Sequence, residues 1–304
     1  MAGVIEAEGL RKEYRRLRGG TTVAVAGLDL EVPQGGVFGF LGPNGSGKTT
    51  TIRCLLGLVA RSSGVVRLLG AEPPALHTVI ARVGSIVETP TFFPTFSGRK
   101  NLQLLAALYR LGDARVEAAL ERVNLADRGD DLFKNYSLGM KQRLGIAGAL
   151  LKDPELLILD EPANGLDPAG IKEVRDLIRS LGDEGRTVFL SSHPLGEVQQ
   201  VCDHVAILAR GRCIAKGSVD EVLAQGHTTA AVRARVHDLE AGVRALTESG
   251  YEPAIVDDMI RVQAEYPEHV TQVLAYHGLY VSELHREMLN LEDVFLQLTQ
   301  ETPA

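Results

Sequence analysis

Apolar and polar residues alternate from Val4 to Leu10 and again from Thr22 to Val32, the period of antiparallel strands with one covered face. Leu10 to Tyr14 leads from the first to the second. Three other runs do not alternate. Val37-Phe38-Gly39-Phe40-Leu41, Leu156-Leu157-Ile158-Leu159 and the stretch from Arg186 to Ser191 are apolar almost throughout, as strands buried on both faces of a parallel sheet are. Shorter strands are predicted at Val65 to Leu69 and Val83 to Glu88, and a closing hairpin at Val205 to Leu208 and Arg212 to Lys216, around Arg210-Gly211. Thr50 to Leu58 reads as a helix ended by Gly57 and the turn Arg61-Ser62-Ser63-Gly64. Asp167-Pro168, a capping carboxylate and then proline at the first helical position, opens another helix. Ile171, Val174, Leu177 and Ile178 lie on one face of it, and it ends near Gly182. Strands alternating with helices predict an α/β fold, with a mixed sheet core and an antiparallel β subdomain.

Residues 89–151 have a different character. Thr89-Pro90-Thr91-Phe92-Phe93-Pro94-Thr95-Phe96 is incompatible with regular structure and carries three of the chain's eight phenylalanines. Leu102, Leu105, Ala106 and Leu108 then recur at helical spacing, a second helix is predicted from Asp113, its N-cap, to Val123, and a third from Ser137, its N-cap, to Leu151. Together they form an α-helical insertion. After a capping box at Ser218-Val219-Asp220-Glu221, the pattern restarts past Gly226. It gives strand Ala230 to Val236, helix Leu239 to Thr247, strands near Glu252 to Val256 and Met259 to Gln263, helix Pro267 to His277 and strand Tyr280 to His285. This βαββαβ order is ferredoxin-like, and a helix from Leu291 to Leu298 follows it. The expected domains are 1–225, with the helical subdomain at about 89–151, and a small α+β domain at 226–304. The second holds no catalytic cluster, so regulation or packing is its expected role.

Composition narrows the partners. At 304 residues, 45% hydrophobic and 23% charged, the chain is an ordinary globular protein with room for a sizeable core. A formal charge of -7 argues against nucleic acid as a partner, because that affinity rests on Lys and Arg meeting phosphates. No uncharged apolar stretch approaches the roughly 18 residues of a membrane span, and Met1-Ala2-Gly3-Val4 has neither a basic region nor an apolar signal core. A cytosolic protein is expected, with any membrane role supplied by a partner. Cys54, Cys202 and Cys213 are scattered, without metal-ligand spacing, and read as buried reduced thiols.

The candidate chemistry begins at Gly42-Pro43-Asn44-Gly45-Ser46-Gly47-Lys48-Thr49, which fits Gly-x-x-x-x-Gly-Lys-Ser/Thr between a buried strand and a helix. Gly42, Gly45 and Gly47 allow the backbone to turn successive N–H groups into one concavity, and the helix start adds its dipole. Pro43, Asn44, Ser46 and Thr50 complete the expected nucleotide contacts. Lys48 would charge-pair with the outer phosphates, and the Thr49 hydroxyl would ligate magnesium. Asp160 and Glu161 end an apolar strand, at the edge where open α/β sheets bind ligands. Asp160 suits the magnesium shell and Glu161 a general base for water. His193 reaches the same edge one βα unit later, placed to meet the outer phosphate. Ser137 and, two residues on, Gly139 mark a second helix start open to an anion, a signal that alone fits an ordinary capped helix. Tyr14 could stack on a nucleobase, although local sequence favours a surface or core tyrosine.

Taken in order, the loop at 42–49, Ser137-Leu138-Gly139, the strand at 156–161, Asp167 and His193 resemble the ATP-binding subunits of ABC transporters over residues 4–225. Asn290-Leu291-Glu292-Asp293-Val294-Phe295 also looks like the tail of the drug and antibiotic exporter subgroup. The resemblance implies a P-loop NTPase fold of the ABC type. It also implies that two subunits close head to tail around two ATP molecules with Mg2+, Ser137 and Gly139 of one facing the γ-phosphate held by Lys48 of the other. ATP hydrolysis would then drive export of a drug, antibiotic or lipid-like substrate through a separate integral membrane permease, on the inner face of the cell membrane. Two positions depart from the family pattern. Leu138 and Met140 replace a glycine and a glutamine of the signature, and Glu88 stands where most members have a magnesium-facing glutamine. A carboxylate is also a hard oxygen ligand, so altered metal or nucleotide dependence is expected. Thr89 to Arg99 is a candidate docking surface for the permease, although Phe92, Phe93 and Phe96 could equally fill the insertion's core. A soluble ABC-type ATPase acting on translation or DNA is the alternative, but one phosphate loop and no sustained heptads count against it. A nucleotide-binding regulator without turnover is disfavoured by Glu161.

Overall fold

The computed structural model describes residues 3–15, 19–73, 75–88, 90–225, 231–264, 266–287 and 290–300. The first part of the chain forms β1 (Ile5–Arg15), β2 (Thr21–Val32), β3 (Gly36–Leu41), α1 (Lys48–Leu55), β4 (Ser63–Leu68) and β5 (Val83–Ile86). Then come α2 (Gly98–Leu108), α3 (Asp113–Arg122), α4 (Leu138–Leu150), β6 (Leu156–Asp160), α5 (Pro168–Asp183), β7 (Thr187–Ser192), α6 (Leu195–Val198), β8 (His204–Ala209), β9 (Arg212–Ser218) and α7 (Val219–Ala224). Last are β10 (Ala231–Arg235), α8 (Leu239–Glu248), β11 (Ala254–Val256), β12 (Met259–Gln263), α9 (Pro267–Tyr276), β13 (Glu283–Glu287) and α10 (Leu291–Gln300). The chain divides into two compact units, 1–220 and 221–304.

In the first unit a six-stranded sheet runs β5-β6-β7-β3-β8-β9. All pairs are parallel except the last, where Arg210 and Gly211 are both left-handed (φ 50° and 78°) and close a tight hairpin. Because β6, β7 and β3 are neighbours, the loop after Leu41, Asp160 and Ser192 all emerge at one edge of the sheet. Phe38 and Phe40 of β3 pack on Phe189 of β7 at centroid distances of 5.8 and 5.2 Å, fixing the spacing of two site-bearing strands. The antiparallel subdomain is β2-β1-β4. Here β1 differs from expectation, continuing through Leu10 to Tyr14 rather than ending. Irregularities in its register, between Ala7 and Leu10 and again at Lys12, reset the alternation and hide the second half of the strand from a period-two reading.

The helical insertion holds α2, α3 and α4. Ser97 caps α2 by accepting from Lys100 N, and buried Asn101 accepts from Phe93 N and donates to Phe93 O and Ser97 O, pinning the phenylalanine-rich turn. Asp113 is the first helical residue of α3 rather than its cap. Gly112 holds that place without a side-chain bond, and Asp113 Oδ1 instead accepts from Gln103 at 3.1 Å. Thr89 lies outside the described residues.

The second unit has sheet order β11-β12-β10-β13, antiparallel throughout. Numbered within the unit this is second-third-first-fourth, the ferredoxin-like arrangement. Val232, Ala234, Ile260 and Val262 pack with Leu246, Val270 and Leu274 of its helices. Its last strand begins at Glu283, not Tyr280, and Ala230 lies outside the described residues. Asn290 Oδ1 accepts from Asp293 N at 2.9 Å, starting α10.

Candidate active site

Gly47 closes the loop and opens α1. It is left-handed (φ 108°), and no side chain caps the helix, so the first N–H groups and the positive dipole end are available to an anion. Glycine is required by close approach: a Cβ on Gly47 would lie 2.5 Å from Ala24 O, and one on Gly42 would lie 2.4 Å from Leu208 O. Gly42 N donates to Ser192 O at 3.2 Å and Gly211 N to Ser46 O at 2.9 Å, tying the loop to β7 and to the β8–β9 hairpin. Buried Ser46 Oγ has no hydrogen-bond partner among the described residues. An uncapped helix start and an orphaned hydroxyl in one glycine cradle fit a bound phosphate.

Lys48 is only 5% exposed. Its ammonium donates to Gly42 O at 2.6 Å and Pro43 O at 3.3 Å and lies 3.2 Å from Glu161 Oε1. Those contacts occupy its three donors. A buried ammonium needs such pairing, so an arriving phosphate must displace one partner, and Glu161 is the one on a movable side chain. Glu161 Oε2 lies 2.7 Å from His193 Nδ1. A carboxylate only accepts, so the ring carries its proton on Nδ1. In the neutral ring Nε2 is then an acceptor, and donation from it to a phosphate oxygen needs a second proton.

Both carboxylates of the strand end are positioned by Ser191, which lies beside Asp160 in the parallel register. Its hydroxyl donates to Asp160 Oδ1 and accepts from Glu161 N at 3.0 Å. Glu161 (φ 51°) and Glu88 (φ 66°) are left-handed non-glycine residues, a conformation that costs on the order of 1–3 kcal/mol and gathers at functional sites. They border one cavity of about 280 Å³ with Thr49, Leu138, Gln142, Asp160 and Asn164. Glu88 follows the shortened β5 rather than ending it, and its carboxylate, 64% exposed, pairs with Arg53 of α1. Thr49, Asp160 and Glu88 carry hard oxygens of the kind magnesium takes when it shares its shell with phosphates and water, and the residues at this cavity fit such an ion.

Three expected contributors stand apart from this cluster. Tyr14 is a surface residue of β1, 38% exposed, with Lys12 Nζ 4.7 Å from its ring centroid. Ser137 Oγ accepts from Met140 N at 3.2 Å, capping its own helix. A Cβ on Gly139 would meet nothing closer than 3.9 Å, so the chain's own packing does not require glycine there. Sequence reasoning missed Ser191, Gln142, Asn164 and Arg53. Only Ser191 carried a signal, being the polar end of an apolar run. Cys54 and Cys202 are buried, Cys213 is half-buried and all are free; burial pushes each thiol's pKa up, which keeps them protonated and unreactive.

The phosphate cradle at a strand–helix turn, beside an acidic strand end, defines a P-loop nucleoside triphosphate hydrolase. The ABC transporter family model matches residues 25–164. The bacitracin transport ATP-binding protein BcrA of Enterococcus faecalis is 39% identical over 98% of this chain and 97% of its own length. Daunorubicin resistance ATP-binding protein DrrA3 of Streptomyces coeruleorubidus is 35% identical over 97% and 95%. Among solved structures, cbiO1 of Clostridium perfringens, part of the ABC transporter complex cbiONQ, matches with a TM-score of 0.65 at 29% identity, over 74% of this chain and 92% of that one. The chain belongs to the ATP-binding proteins of ABC transporters, and its reaction is ATP hydrolysis with Mg2+.

Proposed function

We propose that this chain powers export of an antibiotic, drug or lipid-like molecule, as one of a head-to-tail pair of subunits docked on a separate integral membrane permease at the inner face of the membrane. The connected Lys48–Glu161–His193 contacts beside the uncapped start of α1 carry the ATPase reading. The export reading is supported by relatives named for bacitracin transport and daunorubicin resistance that match almost end to end. No helix among the described residues is long and apolar enough to cross a membrane, so the path belongs to the partner. The same end-to-end match to transport proteins leaves nothing in favour of a role in translation or on DNA.

In this reading residues 42–50 cradle the phosphates through backbone N–H groups, and Lys48 turns from Glu161 to the outer phosphate. Thr49 and Asp160 would hold the metal, with Glu88 beside them, and Mg2+ at that place would supply positive charge to the phosphate oxygens. Glu161, released from Lys48, accepts the proton of the attacking water, and His193 orients Glu161. The helix start at Ser137 and Gly139 of the partner subunit completes the site. Support for that last step is the unexplained space at Gly139, which suits a group arriving from outside the chain.

Glu88→Gln removes a negative charge from the metal's surroundings, and the half-saturating Mg2+ concentration for ATP hydrolysis is expected to rise about three- to tenfold. An unchanged Mg2+ titration would show that Glu88, held by Arg53, plays no part in metal binding.

The phenylalanine segment supports docking. Phe92 is half-buried and meets Phe133 edge-on at 5.3 Å, whereas Phe93 and Phe96 are 60% and 39% exposed and pack on each other at 5.4 Å. Paired exposed rings are what an interface uses. The full reading is tested by copurification with a membrane protein of about six apolar segments of roughly 20 residues. Phe93→Ser is expected to lose that copurification while the free chain keeps its melting temperature; retained copurification would count against docking here.

A further inference from the structure

A second cavity, of about 150 Å³, opens beside the Glu161–His193 pair and counts both residues in its lining. Its wall comes from the loop Pro162–Leu166 that follows Glu161, from α5, and from the stretch between His193 and Val201. Val174, Ile178, Leu190, Val198 and Val201 line it, and all five are buried, so the wall is mostly hydrocarbon. Polar lining comes from Glu161, His193, Asn164, Ser192 and Arg175, the last already bonded to Gln200. In volume the hollow matches the size at which an apolar cavity accepts benzene or xenon.

We propose that this cavity binds a neutral apolar group the size of one aromatic ring, and that its occupation slows ATP hydrolysis. The second half rests on the function proposed above; the first does not. Glu161 runs directly into one wall and His193 into another, so a molecule filling the hollow holds both flanking segments as they stand. In this arrangement Glu161 is engaged by Lys48 at 3.2 Å and by His193 at 2.7 Å. Hydrolysis needs Glu161 free of Lys48, so a ligand that favours the engaged arrangement withdraws subunits from turnover. One that binds it about tenfold more tightly than the working arrangement lowers turnover by up to about tenfold at saturation.

Xenon and benzene are the probes. Xenon NMR titration and xenon-pressurised crystals of the nucleotide-free full chain should show one saturable site at this cavity. Val174→Phe and Val198→Phe fill it from α5 and from the segment after His193. Each is expected to lose the site while keeping its helix content and a cooperative melt, and if one variant fails to fold the other decides. Benzene should raise the melting temperature of the unmodified chain, leave that of the filled variants unmoved, and slow phosphate release up to about tenfold. A xenon titration of the unmodified chain that never saturates, or a site that persists in a folded filled variant, overturns the binding proposal. Saturable binding with unchanged phosphate release overturns the regulatory half. Failure of the chain to hydrolyse ATP at all would remove the functional reading and leave the xenon result standing.

Discussion

Glu161→Gln is expected to lower phosphate release by about 10²–10⁴-fold, the usual contribution of a positioned general base, while ATP binding persists or tightens. The two halves of that expectation come from the same contacts. Glutamine keeps the shape of the side chain, and the backbone bond from residue 161 to Ser191 is untouched, so the left-handed turn at φ 51° is retained. What is lost is the ability to take a proton and the anionic hold on Lys48 at 3.2 Å. The ammonium then meets an incoming phosphate with one competitor fewer. Phosphate release measured beside the affinity for a fluorescent ATP analogue separates the effects. Loss of both together would place Glu161 in binding rather than in proton transfer.

Lys48→Ala is expected to weaken ATP binding by about 10–100-fold, the size of one hydrogen bond to a charged group, and to bring hydrolysis below detection. Alanine is the best helix former, and α1 begins at this residue, so the fold should survive. The nucleotide, however, loses its buried cation and faces the Glu161 carboxylate with no counter-charge between them. The double variant Lys48→Ala, Glu161→Gln should therefore recover part of the lost affinity without recovering turnover. Additive losses in binding would show that the Lys48–Glu161 contact does not compete with phosphate.

Much of this site could be read from the chain, because the relevant signals are local. The strand–loop–helix at 36–55, the apolar strand ending in Asp160-Glu161, and the Asp167-Pro168 helix start, where Asp167 accepts from Gly170 N, are each set by neighbours in sequence. The meeting of Asp160 and Ser192 with the loop after Leu41 at one sheet edge followed from the open α/β pattern, whereas the strand order itself came only with the structure. The misses were non-local or irregular. Register shifts concealed the length of β1, and the left-handed turn at Glu88 cut β5 short where an apolar run suggested continuation. The Arg53–Glu88 pair joins residues far apart in sequence, and Ser191 gains its role only through a parallel register with Asp160. Phe92, Phe93 and Phe96 looked equivalent in sequence; the structure separates one half-buried ring, packed on Phe133, from two exposed ones, on a turn that Asn101 pins.

In the proposed function one chain supplies half of a site and a second chain completes it. The direct measurement is the sedimentation mass of Glu161→Gln protein with and without Mg-ATP, repeated with Ser137→Arg added. One chain is expected without nucleotide, two chains with ATP, and one chain again when Ser137 is replaced although ATP remains bound. A single chain that binds ATP and stays single, or a pair that forms regardless of Ser137, would contradict it.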